Sequence, residues 1–345
     1  MIGEKYDFFA KHENFGLISS VKSVLIMDGN APREPEITIF IPTYLRADSL
    51  KQTLEGAVRQ SSFYSFEILV LDNNPERDDE TELLMMEYDK YPIRYYKNEE
   101  NLGMVGNWNR GYELAQGKWV TMIHDDDLLH TEYLSVISRI ISSFKSFDGL
   151  FCTNIKFQEI APSVEMPTEI HAKRMTPYNV VWRNDFPIAG NLLKRQMVIE
   201  SGGFDPETYA APDYAFYVYL SHHFRIYKIN APLAFYRMGM NTSLKVETID
   251  SIVHVNHLIN LFILKKSKLA FCWSNRVAEY WKYLVAYKWA KFNNRNFDYK
   301  AYEISPYKKV FGRLLQMITK YLIKAQYLFY LSIGKFDRGF KLNLR

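Results

Sequence analysis

Four apolar runs constrain this chain more than any other feature: "EITIFIP" from residue 36, "FEILVLD" from 66, "IRYYKN" from 93 and "KWVTMIH" from 118. They are continuous rather than alternating, which is the pattern of strands covered on both faces. Stretches of helical length separate them, at 47–60, 79–90 and 104–116, the last stopped by Gly117. Strands alternating with single helices predict βαβ units, hence an α/β, Rossmann-like and mainly parallel sheet flanked by helices. Ligands of such sheets bind beyond the carboxyl ends of the strands. Three runs end there in polar residues: Thr43 and Tyr44, then Asp72, then His124 to Asp127.

On either side of this alternation the pattern changes. Residues 1–35 read as a short helical extension closed by the breaker-rich "MDGNAPREPE". Residues 131–249 mix strands with loops and helices, among them "DGLFCTNIKF", a loop-rich stretch to 187, a helix near 194–200 and the helix "PDYAFYVYLSHH". Residues 250–345 read as a C-terminal helical region. The start, "MIGEKYDFFAKHENF", mixes acids and bases where a signal peptide needs a basic end and an apolar stretch. Cys152 and Cys272 have no C-x-x-C partner, so neither a disulfide framework nor a zinc ribbon is expected. A cytoplasmic location follows from both observations.

Charge is divided unevenly. Residues 251–345 carry 18 Lys and Arg against 4 Asp and Glu, a net of +14, which leaves 25 against 35, or −10, in residues 1–250. A basic third faces something acidic. No zinc-finger spacing, RNP-type strand or Gly-rich RNA loop accompanies it, so the anionic inner face of a membrane is expected as the partner and nucleic acid is not. The last helical stretch, "FGRLLQMITKYLIKAQYLFYLSIG", is interrupted by Arg313, Lys320 and Lys324. It is too broken to cross a bilayer, which takes about 20 apolar residues, and either lies on one or packs on other helices.

The chemistry concentrates in "TMIHDDDLLH", where Asp125, Asp126 and Asp127 follow the fourth apolar run. Like charges this close require a cation among them. Hard carboxylate oxygens at a strand end suit Mn²⁺ or Mg²⁺, with phosphate oxygens completing the coordination. A lone acidic triplet is a weak signal, because acidic turns are common. Its position in an ordered set of segments is what gives it weight.

That set is "ITIFIPTYLRADSLKQTLEGAVRQ", "FEILVLDNN", "NEENLGMVGNWNRGYELAQGKWVTMIHDDDLLH" and, more weakly, "GNLLKRQMVIESGGFD", "APDYAFYVYL" and "PLAFYRMGMNTS". Over residues 36 to about 243 the chain resembles the family 2 inverting glycosyltransferases, which have the GT-A fold. The resemblance implies a nucleotide-sugar-binding half at 36–130 and an acceptor-binding half at 131–249. It implies a UDP- or TDP-sugar donor and a hydroxyl acceptor on a saccharide or lipid-linked saccharide, in surface polysaccharide synthesis.

The resemblance also assigns residues. Asp127 is implied as the direct metal ligand, with Asp125 beside it through a direct bond, a water or the ribose; Asp126 is either a ligand or a helix cap. Asp72 is implied to accept from the pyrimidine N–H, and Pro42, Thr43, Tyr44 and Arg46 to form the nucleoside pocket. Asn109 keeps a position that meets the donor. Trp108 stands where the family has an arginine and either packs or lines the sugar pocket, leaving Arg110 solvated. Asp213 is implied as the base that deprotonates the acceptor. Pro212 replaces the acid that usually precedes it, so the alternative is a first-turn carboxylate favoured by the helix dipole. Arg237, assisted by Asn241 and Ser243, is implied to meet the diphosphate as a lid closes. His124 and His130 flank the acidic motif within reach of the diphosphate, while His222, His223, His254 and His257 read as packing or acceptor-side residues.

Two enzymatic rivals lack their loops. A sugar-phosphate nucleotidyltransferase needs a Gly-rich basic loop after the first strand, and "PTYLRADSL" has no glycine; a dehydrogenase needs G-x-G-x-x-G there. A non-catalytic nucleotide-sugar-binding or scaffold protein of a membrane assembly is the rival from another class.

Overall fold

In a computed structural model of the chain, residues 2–182, 184–239, 246–292, 296–334, 336–337 and 339–344 are described. A 3-10 turn, Phe15–Ile18, precedes β1 (Ser23–Asp28). The expected alternation follows: β2 (Ile37–Thr43), α1 (Ala47–Val58), β3 (Phe66–Asp72), α2 (Glu80–Met86), β4 (Ile93–Asn98), α3 (Gly103–Leu114) and β5 (Trp119–Met122). The mixed part comprises β6 (Leu128–Leu129), α4 (Tyr133–Ser143), β7 (Gly149–Phe157), β8 (Glu169–Met175), α5 (Pro177–Val180), β9 (Leu192–Lys194), α6 (Arg195–Glu200), α7 (Pro212–His223) and β10 (Ile226–Arg237). Three long helices come last, α8 (Val246–Lys266), α9 (Ser274–Phe292) and α10 (Pro306–Ser332), before β11 (Phe340–Asn343).

All these strands join one sheet in the order β1-β4-β3-β2-β5-β9-β7-β10-β8-β11, with β6 paired to β10. β2 lies parallel to both β3 and β5. The chain runs outward from β2 to β4, then returns to β5 on the other side of β2. That reversal is a topological switch point, where two loops diverge and leave a crevice. The sequence explains the core strand: all of Ile37–Thr43 is buried. Ile37, Ile39 and Ile41 enter the core on one face and Phe40 enters the other, as a period of two requires.

A buried charge is tolerated beneath this region because it is fully bonded. Glu67 accepts from Thr38 Oγ1 at 2.6 Å and the Gln116 N–H at 2.7 Å, and pairs with Arg94. Gly117 fits where nothing larger would, since a Cβ there would lie 2.6 Å from the Thr38 nitrogen.

Two expectations are corrected at the ends of the chain. Residues 1–35 are not a helical extension: "SVLIMD" forms β1, antiparallel to β4. The otherwise open edge of β4 supplies the backbone partners that make a β-branched, apolar run a strand. The C-terminal region is not helical throughout either, because β11 returns to pair with β8. The stretch between β7 and α5, expected as loop, contains β8, whose partners β10 and β11 come from distant sequence.

Candidate active site

The crevice at the switch point is built by the turn after β2 and the loop after β5. Thr43, the last residue of β2, donates from Oγ1 to Asp125 Oδ2 at 2.8 Å. Leu45 then takes a left-handed φ of 54°, which turns the chain into α1 and leaves Tyr44 44% exposed. Arg46 Nη1 donates to Asp126 Oδ2 at 3.1 Å and Asp125 Oδ1 at 3.3 Å. A guanidinium from the opposite loop is therefore the counter-ion of two of the three carboxylates.

All three aspartates are buried. Burial pushes Asp125 up to about 6, even though Arg46 and Thr43 favour its charged form. Asp127 is held well above the usual carboxylate range, first by burial and then by the charge of Asp126. Burial lowers His124. Asp127 Oδ1 accepts from the Arg237 backbone N–H at 2.9 Å, and the Asp127 carbonyl accepts from Thr53 Oγ1 at 2.9 Å. Asp127 Oδ2 and His124 Nε2 are buried with no hydrogen-bond partner, and His124 Nδ1 lies 3.6 Å from that same Oδ2. One ligand atom from each of His124, Asp126 and Asp127 falls within 4.8 Å of the others. An imidazole and two carboxylates around an unsatisfied buried oxygen form a donor set that fits Mn²⁺ or Mg²⁺.

This geometry changes the expected ligand set. Asp125, expected beside Asp127 as a metal ligand, spends its oxygens on Thr43 and Arg46 and lies outside the group. His124 stands in that group instead, its ring stacked on Trp108 with centroids 5.6 Å apart. Trp108 is 4% exposed and also meets Phe204 edge-on, so it packs and at the same time orients the histidine.

Other assigned side chains already hold partners within the protein. Asp72 has no exposed surface; it accepts from Lys97 Nζ at 2.8 Å, Tyr95 OH at 2.9 Å and the Asn74 N–H at 2.9 Å. Burial raises its pKa. Asn109 is equally spent, donating to the Phe204 carbonyl and accepting from the Phe204 N–H, both at 2.8 Å. It latches α3 to the Gly202–Gly203 turn, where a Cβ on Gly203 would meet Asn109 Oδ1 at 2.6 Å. Arg110 is not solvated: its Nη2 donates to the carbonyls of Ile18 and Val21 and fixes the N-terminal segment to α3. Arg237 turns inward, with Nε on the Asp126 carbonyl at 2.8 Å, Nη1 on the Gln158 carbonyl at 3.1 Å and Nη2 on Gln52 Oε1 at 2.7 Å. Instead of facing the crevice, it clamps the acidic loop to β10. Asn241 and Ser243 lie outside the described residues.

Asp213 sits half-buried in the first turn of α7, behind Pro212, and accepts from Asn184 Nδ2 at 3.2 Å. Burial raises its pKa. Among the described residues no hydrogen bond or ion pair ties it to the acidic cluster. Pro42 is buried within β2, opposite Leu71. His130 forms a turn, its Nδ1 accepting from the Glu132 N–H. His254 and His257 bond the carbonyls of Ile2 and Ala278, and His223 that of Phe9, as packing residues do. Sequence reasoning missed Lys97, though a lysine ending an apolar strand, "IRYYKN", was a visible sign; Thr53 and Gln52 carried none.

With this geometry in hand, the comparisons with known proteins are specific. Residues 38–193 match the family profile described as Glycosyl transferase family 2. An uncharacterized glycosyltransferase of Haemophilus influenzae is 25% identical over 208 residues, 58% of this chain and 67% of that one. The GalNAc(5)-diNAcBac-PP-undecaprenol beta-1,3-glucosyltransferase of Campylobacter jejuni is 29% identical over 106 residues, so the match spans 30% of this chain and only 34% of that relative. The crystal structure of S. aureus TarS 1-349 superimposes with a TM-score of 0.53 at 15% identity, covering 88% of this chain and 93% of that fragment. TarS in complex with UDP-GlcNAc gives 0.51 at the same identity, covering 85% and 91%. Over residues 38–193 the chain is similar to the glycosyl transferase family 2 model, its relatives include proteins named as glycosyltransferases, and its α/β fold is that of the superimposed TarS structures.

Proposed function

We propose that this enzyme moves a sugar, with inversion and with help from a divalent metal, from a UDP- or TDP-sugar to a hydroxyl of a saccharide or lipid-linked saccharide. The observation that carries the reading is the pair of buried, unpartnered atoms, Asp127 Oδ2 and His124 Nε2, beside Asp126 at the switch point. His124, Asp126 and Asp127 would hold Mn²⁺ or Mg²⁺, which supplies charge neutralisation to the diphosphate of the donor. Residues 36–130 bind the donor and residues 131–249 the acceptor. Support for the donor class comes from TarS, a fold neighbour with a UDP-GlcNAc complex. Support for a lipid-linked saccharide acceptor comes from the C. jejuni relative, named for a PP-undecaprenol-linked saccharide. Such an acceptor places the enzyme in the cytoplasm, peripheral to the inner face of the membrane.

The protein's own residues divide the work. Tyr44, exposed beside the β2 turn, offers a ring to the nucleoside, and Arg46, already in the crevice, offers a fork of donors to the diphosphate. Asp213 takes the proton of the acceptor hydroxyl as its oxygen attacks the anomeric carbon, and the bond from that carbon to the diphosphate breaks on the opposite face. A pKa raised by burial makes Asp213 a stronger base than a solvated aspartate.

A thermal-shift panel of nucleotides and nucleotide sugars with Mn²⁺, followed by transfer assays on the stabilising donor, tests this reading. Asp213→Asn should abolish transfer, a loss of about 10²–10⁴-fold, and keep donor binding. A wild type that neither transfers nor hydrolyses any donor would favour the scaffold rival.

A further inference from the structure

α10 carries two apolar faces, and the fold covers one of them. Leu315, Gln316, Thr319, Ile323 and Gln326 are buried on that inner face. The other face is a stripe of Tyr307 (74% exposed), Val310 (74%), Leu314 (49%), Met317 (47%), Tyr321 (75%) and Leu328 (52%). Their spacing of three, four, three, four and seven residues keeps them on one side of a helix. Along the edge of the stripe run the exposed side chains of Arg313 and Lys324. The whole helix, "PYKKVFGRLLQMITKYLIKAQYLFYLS", has five Lys and Arg and no Asp or Glu. No described helix is long and apolar enough to cross a membrane.

We infer that this outer face of α10 docks the enzyme flat on an anionic lipid leaflet, with the apolar stripe in the headgroup layer and the basic edge on lipid phosphates. Aromatic and aliphatic side chains so exposed disfavour a purely electrostatic partner such as nucleic acid. The absence of acids along 27 residues disfavours a basic one. The inner face connects the docked helix to the chemistry. Lys320 Nζ lies 5.8 Å from the Trp182 ring and the Tyr330 ring 5.8 Å from that of Tyr178, so α10 braces the α5 region. Tyr214 OH in turn donates to the Val180 carbonyl at 2.9 Å, which braces the α7 turn holding Asp213. This surface rests on the lipid-linked-acceptor reading for its purpose, but not for its test.

The test floats the full chain with vesicles of phosphatidylglycerol and phosphatidylcholine in roughly equal parts. The wild type should float with these, and not with phosphatidylcholine alone, and added salt should weaken the binding. The exposed pair Leu314→Glu with Tyr321→Glu, and separately Arg313→Glu with Lys324→Glu, should each lower vesicle binding by about 10-fold or more. Unchanged thermal melting and donor hydrolysis in detergent-free buffer would show that both variants fold. Wild type that does not float, or variants that float equally well, would overturn the surface. So would a wild-type dimer, split by Leu314→Glu with Tyr321→Glu, in which neither form binds vesicles. Vesicle binding without any donor turnover would instead sink the glycosyl-transfer reading and leave the surface standing.

Discussion

Arg46 bridges Asp125 and Asp126, its Nη1 3.1 Å from one carboxylate and 3.3 Å from the other, and thereby fills the role of counter-ion at the mouth of the sheet. Asp126 is shared between this ion pair and the His124–Asp126–Asp127 group. A divalent ion held by that group would therefore compete with the guanidinium for one carboxylate. Arg46→Gln should lower the melting temperature without metal, by the equivalent of about 1–3 kcal/mol, because the carboxylates lose their compensation. Mn²⁺ should restore it, with a larger thermal shift in the variant than in the wild type. Equal Mn²⁺ shifts in the two proteins would contradict the competition.

The ligand set predicts an order of effects. Asp127→Ala and His124→Ala should each weaken Mn²⁺ binding about 10–100-fold, whereas Asp125→Asn should change it far less. Electron paramagnetic resonance of free Mn²⁺ measures all three directly. If Asp125→Asn proved the most damaging, the group would have to be redrawn around Thr43.

Asn109 is a structural latch in this fold. Asn109→Ala removes both hydrogen bonds to Phe204 and leaves a buried N–H and carbonyl without partners, a cost of about 2–4 kcal/mol. Urea denaturation should show that loss while KM for the donor stays near the wild-type value at permissive temperature. A raised donor KM with unchanged stability would return Asn109 to the binding site.

The pH profile reports on Asp213. Burial raises its pKa in the folded protein, so a base at this position would be protonated and inactive at a pH where an ordinary aspartate, at about 3.9, is already charged. kcat/KM should therefore rise with pH through a midpoint above that value. The same shift means that the folded state holds the proton more tightly than the unfolded one. Above the unfolded pKa this group thus costs stability as pH rises toward its folded pKa. Asp213→Asn should flatten the acid limb of the residual rate, and a limb that survives belongs to another group.

The parallel core was legible in the sequence because each of its determinants is local. "ITIFIPT" and "FEILVLD" need only their own apolar continuity to become buried strands, and Gly117 stops α3 by lacking a side chain. The carboxylates at Asp125 to Asp127 were legible as well, since like charges side by side demand a cation in any fold. What tertiary structure decided is which partners those groups meet. Asp72 and Asn109 occupy expected positions, yet Lys97 and Tyr95 in one case and the Phe204 backbone in the other reach them first. "SVLIMD" is a strand because β4 has a bare edge, and Arg237 turns inward because Gln52, Asp126 and Gln158 converge there. A residue's type and position in the chain set what it can bond to. Which bond it makes depends on distances between elements far apart in sequence, and those exist only once the sheet has assembled.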